Sequence, residues 1–272
     1  MAGWALGDIP WKTFDPDKVE PDLLKLVKAA SLVEGNAADY RTYLNRIFAD
    51  DARFRHAVDN WAREEQQHGA ALGRWAALAD PSFDFDAALR RFAEGFRIDI
   101  DAEESVRGSR TGELVARCMV ETGTNSFYTA LAETADEPVL KDICRRIADD
   151  EQAHYWLFHR YMRRYLEREN LGLWRRLRVA LSRIAESEDD ELAYAYYAAN
   201  GGAAPYDRRS SSIAYERRAL ACFTPSVMRN AVSMIFNAVG LKPHGVAGRV
   251  MTALAWRFIR LRRFWIARAM RV

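Results

Sequence analysis

Two Glu-x-x-His sequences, each preceded at nearly the same distance by another glutamate, constrain this chain more than any other feature. The first is Glu65 and His68 in "EEQQHG", and the second is Glu151 and His154 in "DDEQAH". Glu34 lies 31 residues before Glu65, and Glu121 lies 30 residues before Glu151. Residues three apart share one side of a helix, so each carboxylate and imidazole can meet the same ion. A span of about 30 residues suits a helix that rises three to four turns, reverses, and returns antiparallel. Each half then reads as a helical hairpin with its donors at one level. Four carboxylates and two imidazoles are expected to converge at the centre of a four-helix bundle.

A lone Glu-x-x-His is common on solvated helix faces, and the repetition is what gives the pattern weight. Glu34 sits among Ala30, Ala37 and Ala38, and Glu121 follows Leu114 and Cys118 in an apolar run. Buried carboxylates take up protons or need a cationic partner. No Lys or Arg is expected at the centre of that face, so a metal is the natural counter-charge. Oxygen donors with two imidazoles suit two iron ions, or manganese, and need no thiolate. This is the ligand set of carboxylate-bridged dinuclear bundles. The expected fold is all-α, a ferritin-like four-helix bundle with additional C-terminal helices. Glu34, Glu65, His68, Glu121, Glu151 and His154 are its metal ligands.

Glu64 and Asp150 each precede a ligand glutamate. They either accept a hydrogen bond from the outer nitrogen of a ligand histidine or are ordinary exposed acids. His159 is turned roughly 140° from His154 on a helix and points away from the cluster. Cys118 reads as a small core residue.

Four segments follow from the breakers. Residues 1–20 form an arm interrupted by Pro10 and Pro16. Residues 21–200 hold the bundle with an extension helix, 201–212 a linker, and 213–272 a basic helical segment. Helical patterns run over 22–48, from Asp50/Asp51 to Leu78, over 110–134, over 137–167 and over 171–199. A shorter helix falls inside 80–109. Breaks at Pro225, Gly240–Pro243 and Gly245 divide the remainder into two or three helices.

Three widely spaced cysteines, Cys118, Cys144 and Cys222, form no framework, and the N-terminus shows no leader pattern. A cytoplasmic setting is therefore expected. All 38 acidic residues lie in the first 216 positions, whereas 11 of the 40 Lys and Arg lie beyond Glu216. An acidic body thus carries a basic tail. Over 254–272, Leu254, Phe258, Leu261 and Trp265 form one stripe and five arginines another. Such a helix can lie on an anionic membrane surface, dock an acidic carrier or ferredoxin, or pack on the bundle or across a homodimer. No module accompanies the charge that would make nucleic acid a partner.

With these residues in hand, the chain resembles the soluble acyl-carrier-protein desaturases. "NWAREEQQHG" at 60–69 is similar to that family's Trp-x-x-Glu-Glu-x-x-His-Gly segment. "LKDICRRIADDEQAH" at 140–154 is similar to its Ile-Cys-x-x-Ile-Ala-x-Asp-Glu-x-x-His segment. The resemblance runs from about Trp11 to Leu166. It implies the same six ligands, and it matches Thr124 to a catalytic threonine on the oxygen side of the cluster. It matches Asp150 to an aspartate behind the ligands, and Trp11 to a tryptophan on the electron route. Gln67 stands where the plant proteins have arginine, and the region after 170 departs from the family.

The resemblance implies a di-iron oxidoreductase that uses dioxygen and external electrons to desaturate or hydroxylate a fatty acyl chain. The substrate would be an acyl chain on an acyl carrier protein, and a ferredoxin-type protein the donor. Other readings are a different di-iron oxygenase, acting on an amine, a quinone or tRNA, and a non-catalytic iron-binding protein at the membrane periphery.

Overall fold

The computed structural model describes residues 3–186, 190–201 and 204–269. Among them every regular element is helical and none is a strand. The arm contains three single 3₁₀ turns, Leu6–Asp8, Trp11–Thr13 and Pro16–Lys18. Eleven α-helices follow: α1 (Pro21–Gly35), α2 (Ala37–Ile47), α3 (Ala52–Ala79), α4 (Phe85–Gly95), α5 (Arg110–Thr134), α6 (Pro138–Glu169), α7 (Leu173–Glu186), α8 (Asp190–Asn200), α9 (Arg208–Cys222), α10 (Pro225–Val239) and α11 (Val246–Ala269). The all-α expectation holds, and the architecture is consistent with a helical bundle. No single helix among the described residues is long and apolar enough to cross a membrane.

The helix ends follow local chemistry. Pro21 opens α1 in the first turn, where its missing N–H costs nothing. Asp51 caps α3 by accepting the Phe54 N–H at 3.1 Å, and Asp84 caps α4 through Ala87 at 2.9 Å. Gly240 closes α10 in the left-handed region at φ 82°. The pattern over 22–48 is not one helix. Gly35 and Asn36, both weak helix formers, part it into α1 and α2, with Asn36 at φ −92°, ψ 18°. Of the pattern over 171–199 the described residues form α7 and α8, and residues 187–189 lie outside the described residues.

The polar run taken as a linker is helical from Arg208, because Asp207 accepts the Ser210 N–H at 2.7 Å and starts α9. Residues 202 and 203 of that linker lie outside the described residues, as do residues 1, 2 and 270–272 of the arm and tail.

The chain forms two compact units, each assembled from three segments. The first comprises Met1–Glu103, Leu131–Ile147 and Glu188–Arg218. In it α1 packs on α3, α4 and α8, and one apolar cluster gathers Leu32, Ala88, Phe92 and Ala195 with Tyr196. At one level α1 and α3 nearly touch. A Cβ on Gly69 would lie 2.6 Å from the Gly35 nitrogen and 2.9 Å from the Ser31 carbonyl oxygen. Only glycine permits that approach, and it brings the residues beside it, Glu34 and His68, within reach of one another.

The second unit comprises Glu104–Ala130, Ala148–Ser187 and Ala219–Val272. Here α10 packs against both α7 and α11. Tyr155 on α6 donates its hydroxyl to the Met234 carbonyl on α10 at 2.7 Å. Asn125 on α5 donates to the Ala148 carbonyl at 2.8 Å and accepts from Asn230 at 3.0 Å. These buried polar links fix α5, α6 and α10 in register.

Candidate metal centre

In the first unit the last turn of α1 presents Glu34 to the middle of α3, where Glu65 and His68 share a face. The His68 Nδ1 lies 3.8 Å from a Glu34 oxygen and 3.5 Å from a Glu65 oxygen. Both glutamates are 6% exposed and His68 is fully buried. In the second unit α5 presents Glu121 and α6 presents Glu151 and His154. The His154 Nδ1 lies 3.9 Å from an oxygen of each glutamate. All three residues are buried. The structure therefore brings together each set of Glu plus Glu-x-x-His.

The donor sets suit a metal ion. Within each trio, one atom per residue lies within 4.8 Å of the others. Metal–ligand bonds of about 2.0–2.2 Å place neighbouring donor atoms roughly 3–4 Å apart, which is the spacing seen around each imidazole. Oxygen and nitrogen donors without thiolate fit iron or manganese. Two cations lie nearer to these helices' buried faces than expected. Lys28 on α1 is buried but engaged by Asp80 at 2.5 Å, and Arg117 is buried one turn before Glu121.

The neighbours of the two trios differ. Thr124, half-buried, donates its hydroxyl to a Glu151 oxygen at 2.5 Å. Glu64 is exposed and Asp150 half-buried. Trp11 is held on the arm, with its indole N–H on the Leu6 carbonyl at 2.7 Å and the Arg74 guanidinium 4.2 Å from its ring centroid. Trp4 meets a candidate ligand. Its ring stacks on the His68 imidazole with centroids 5.9 Å apart and planes within 9°. Its carbonyl accepts the Gln67 side-chain N–H at 2.8 Å. Arg146 approaches the same indole at 5.9 Å.

Trp4 was not singled out from the sequence because nothing local marks it. The one signal was Gln67 itself, a neutral donor beside His68 where the resembled plant proteins carry arginine.

His159, turned away from His154, stacks on Tyr155 with centroids 5.7 Å apart. Burial holds its imidazole below the usual histidine range. Burial also pushes the Cys118 thiol well up, with the Glu121 charge adding to the effect. A thiol so held stays protonated and is a packing residue rather than a nucleophile.

A family model described as "Fatty acid desaturase" matches residues 22–184, more than half of the chain. The chain belongs to the fatty acid desaturase family. That family is of the di-iron type, and the match takes in α1 to α6, all six Glu and His residues, and most of α7. The buried clusters of this family member fit a di-iron site, and membership marks the chain as an oxidoreductase. No curated protein matched the chain.

Proposed function

We propose that this fatty acid desaturase family member uses dioxygen and external electrons to introduce a double bond into a fatty acyl chain carried on an acyl carrier protein. The observation that carries the reading is the double occurrence of a buried Glu–Glu–His trio inside the family match. Glu34, Glu65 and His68 hold one iron in this reading, and Glu121, Glu151 and His154 the other. The iron pair supplies the redox chemistry that activates dioxygen toward an unactivated methylene.

The chain's own residues set the conditions. Burial keeps water from both imidazoles and strengthens the attraction between the carboxylates of each trio and a cation. The Thr124 hydroxyl holds one oxygen of Glu151 in place and keeps an exchangeable proton at Oγ1 beside that ligand. Trp4, flat against His68, shields the imidazole and offers a π-system between the arm and a ligand. We assign it, ahead of Trp11, to the route by which a ferredoxin-type donor delivers electrons. The carrier-bound form of the substrate is supported by the resemblance of segments 60–69 and 140–154 to the carrier-protein desaturases.

The test uses iron-loaded full-length protein with a reductase, a ferredoxin and dioxygen, offered stearoyl and palmitoyl chains on acyl carrier protein. Mass spectrometry of the released acids should show a product two hydrogens lighter, with oxygen uptake that depends on the acyl chain. A product heavier by one oxygen would make the enzyme a hydroxylase. No acyl-dependent oxygen uptake, from protein shown to hold iron, would contradict the reading.

A further inference from the structure

Among the described residues, helix α11 is covered on one side only. Ile259 and Ile266 are buried, and Arg263 turns inward to donate to the Leu220 and Phe223 carbonyls at the end of α9. The opposite side carries Val250, Leu254, Phe258, Leu261, Phe264 and Trp265, all exposed, with Phe258 at 58% and Trp265 at 62%. At 3.6 residues per turn these six fall within an arc of roughly 120°. Of the exposed arginines, Arg249 and Arg260 lie along one border of that arc, and Arg257 and Arg268 fall within it, so apolar and arginine stripes are not separate. A single exposed apolar residue needs no explanation, but six large ones on one side of a helix do.

We infer that α11 docks this protein flat on an anionic lipid surface, its apolar face in the outer acyl layer and its arginines among the headgroups. The chemistry is that of interfacial helices: large apolar and aromatic side chains on one face, arginines beside and among them, and no acid. No acidic residue follows Glu216 anywhere in the chain, so nothing on this helix repels phosphate. Arginine stems reach along an apolar face while their heads remain with the phosphates.

A second copy of the chain is a poorer occupant. A twofold contact through this face would set the same four arginines against their equivalents, with no carboxylate on the helix to offset them. An acidic protein would satisfy the arginines but would need its own apolar face for six large side chains. A second helix agrees with the lipid assignment. In the same unit, and packed on the same α10, α7 exposes Trp174 and Leu181 next to Arg175 and Arg178.

Flotation of full-length protein with vesicles tests the inference independently of the proposed reaction. Vesicles of phosphatidylcholine alone and of phosphatidylcholine with 30% phosphatidylglycerol are compared at 0.1 M salt. The protein should float with the anionic vesicles and bind the neutral ones about tenfold more weakly or less. Leu254→Ser/Phe258→Ser/Trp265→Ser should abolish flotation. Arg257→Gln/Arg260→Gln/Arg268→Gln should lower it by at least about tenfold. These side chains are exposed, so both variants should keep the wild-type melting temperature. Three results would overturn the inference: no flotation on anionic vesicles, flotation unchanged in both variants, or a dimer in light scattering that the apolar triple variant dissociates.

Discussion

His68 meets carboxylate oxygens at the edge of its ring and an indole on its face. The first contact concerns what the imidazole binds, and the second what reaches it from outside. The two are separable by mutation. Trp4→Phe should leave iron content unchanged and lower ferredoxin-driven turnover by about tenfold, equivalent to about 1.4 kcal/mol of barrier. Trp11→Phe, which removes an indole resting on Arg74, should change turnover much less. Equal losses in both variants, or loss of iron from the Trp4 variant, would remove Trp4 from the electron route. The trios themselves were legible in the sequence because a helix converts a spacing of three into a shared face. Trp4 was not, because stacking between an arm and a helix leaves no periodicity.

Helices are joined here by a few buried polar contacts, and these give the sharpest tests of packing. Glu137 is 1% exposed and lies just before α6. It accepts the Leu140 N–H at 2.7 Å, the Val139 N–H at 3.2 Å, the Asp15 N–H at 3.1 Å and the Trp75 indole N–H at 2.7 Å. One carboxylate thus caps α6 and ties it to α3 and the arm. Glu137→Ala removes a cap and strands buried donors, so denaturant unfolding should show a loss of about 2–4 kcal/mol.

A second link joins α1 to the residue that ends α3. The Lys28 ammonium, hydrogen-bonded to Asp80, holds that carboxyl down at about 2 from an ordinary 3.8. A lowered carboxylate pKa contributes stability above the unfolded value and loses it as pH falls through the folded one. The stability difference between wild type and Lys28→Met should therefore be full above about pH 4 and fade toward pH 2. Nearly a third of the Asp80 side chain is open to water, so its size should be about 1 kcal/mol. Thermal melts of both proteins from pH 2 to 7 measure it. Helix existence was readable from apolar spacing and from breakers such as Pro81 and Gly240. The breaks that periodicity passed over depend on weaker signals. Asn36 interrupts an unbroken apolar stripe, and Asp207 starts α9 inside a run whose polarity suggested a linker.

The molecule as a whole is put together against the order of its sequence. Each compact unit draws on three separated stretches, and α5 and α6 each contribute to both. A linear reading of composition divides arm, bundle, linker and tail, and it has no means to see such interleaving. Chain order also kept the role of the basic segment open between bundle, protein partner and membrane. What distinguishes these is which side of α11 is buried, a tertiary fact. Placing Ile259 and Ile266 inside leaves Phe258 and Trp265 outside.

At this scale the central claim is that the two Glu–Glu–His trios each hold one iron of a pair. The direct measurement is the iron content of protein loaded with ferrous iron without oxygen and then desalted, alongside the Glu65→Ala/Glu151→Ala variant checked for native helicity. About two irons per chain, lost in the variant, is the expected result. Less than about half an iron per chain, unchanged in a folded variant, would contradict it.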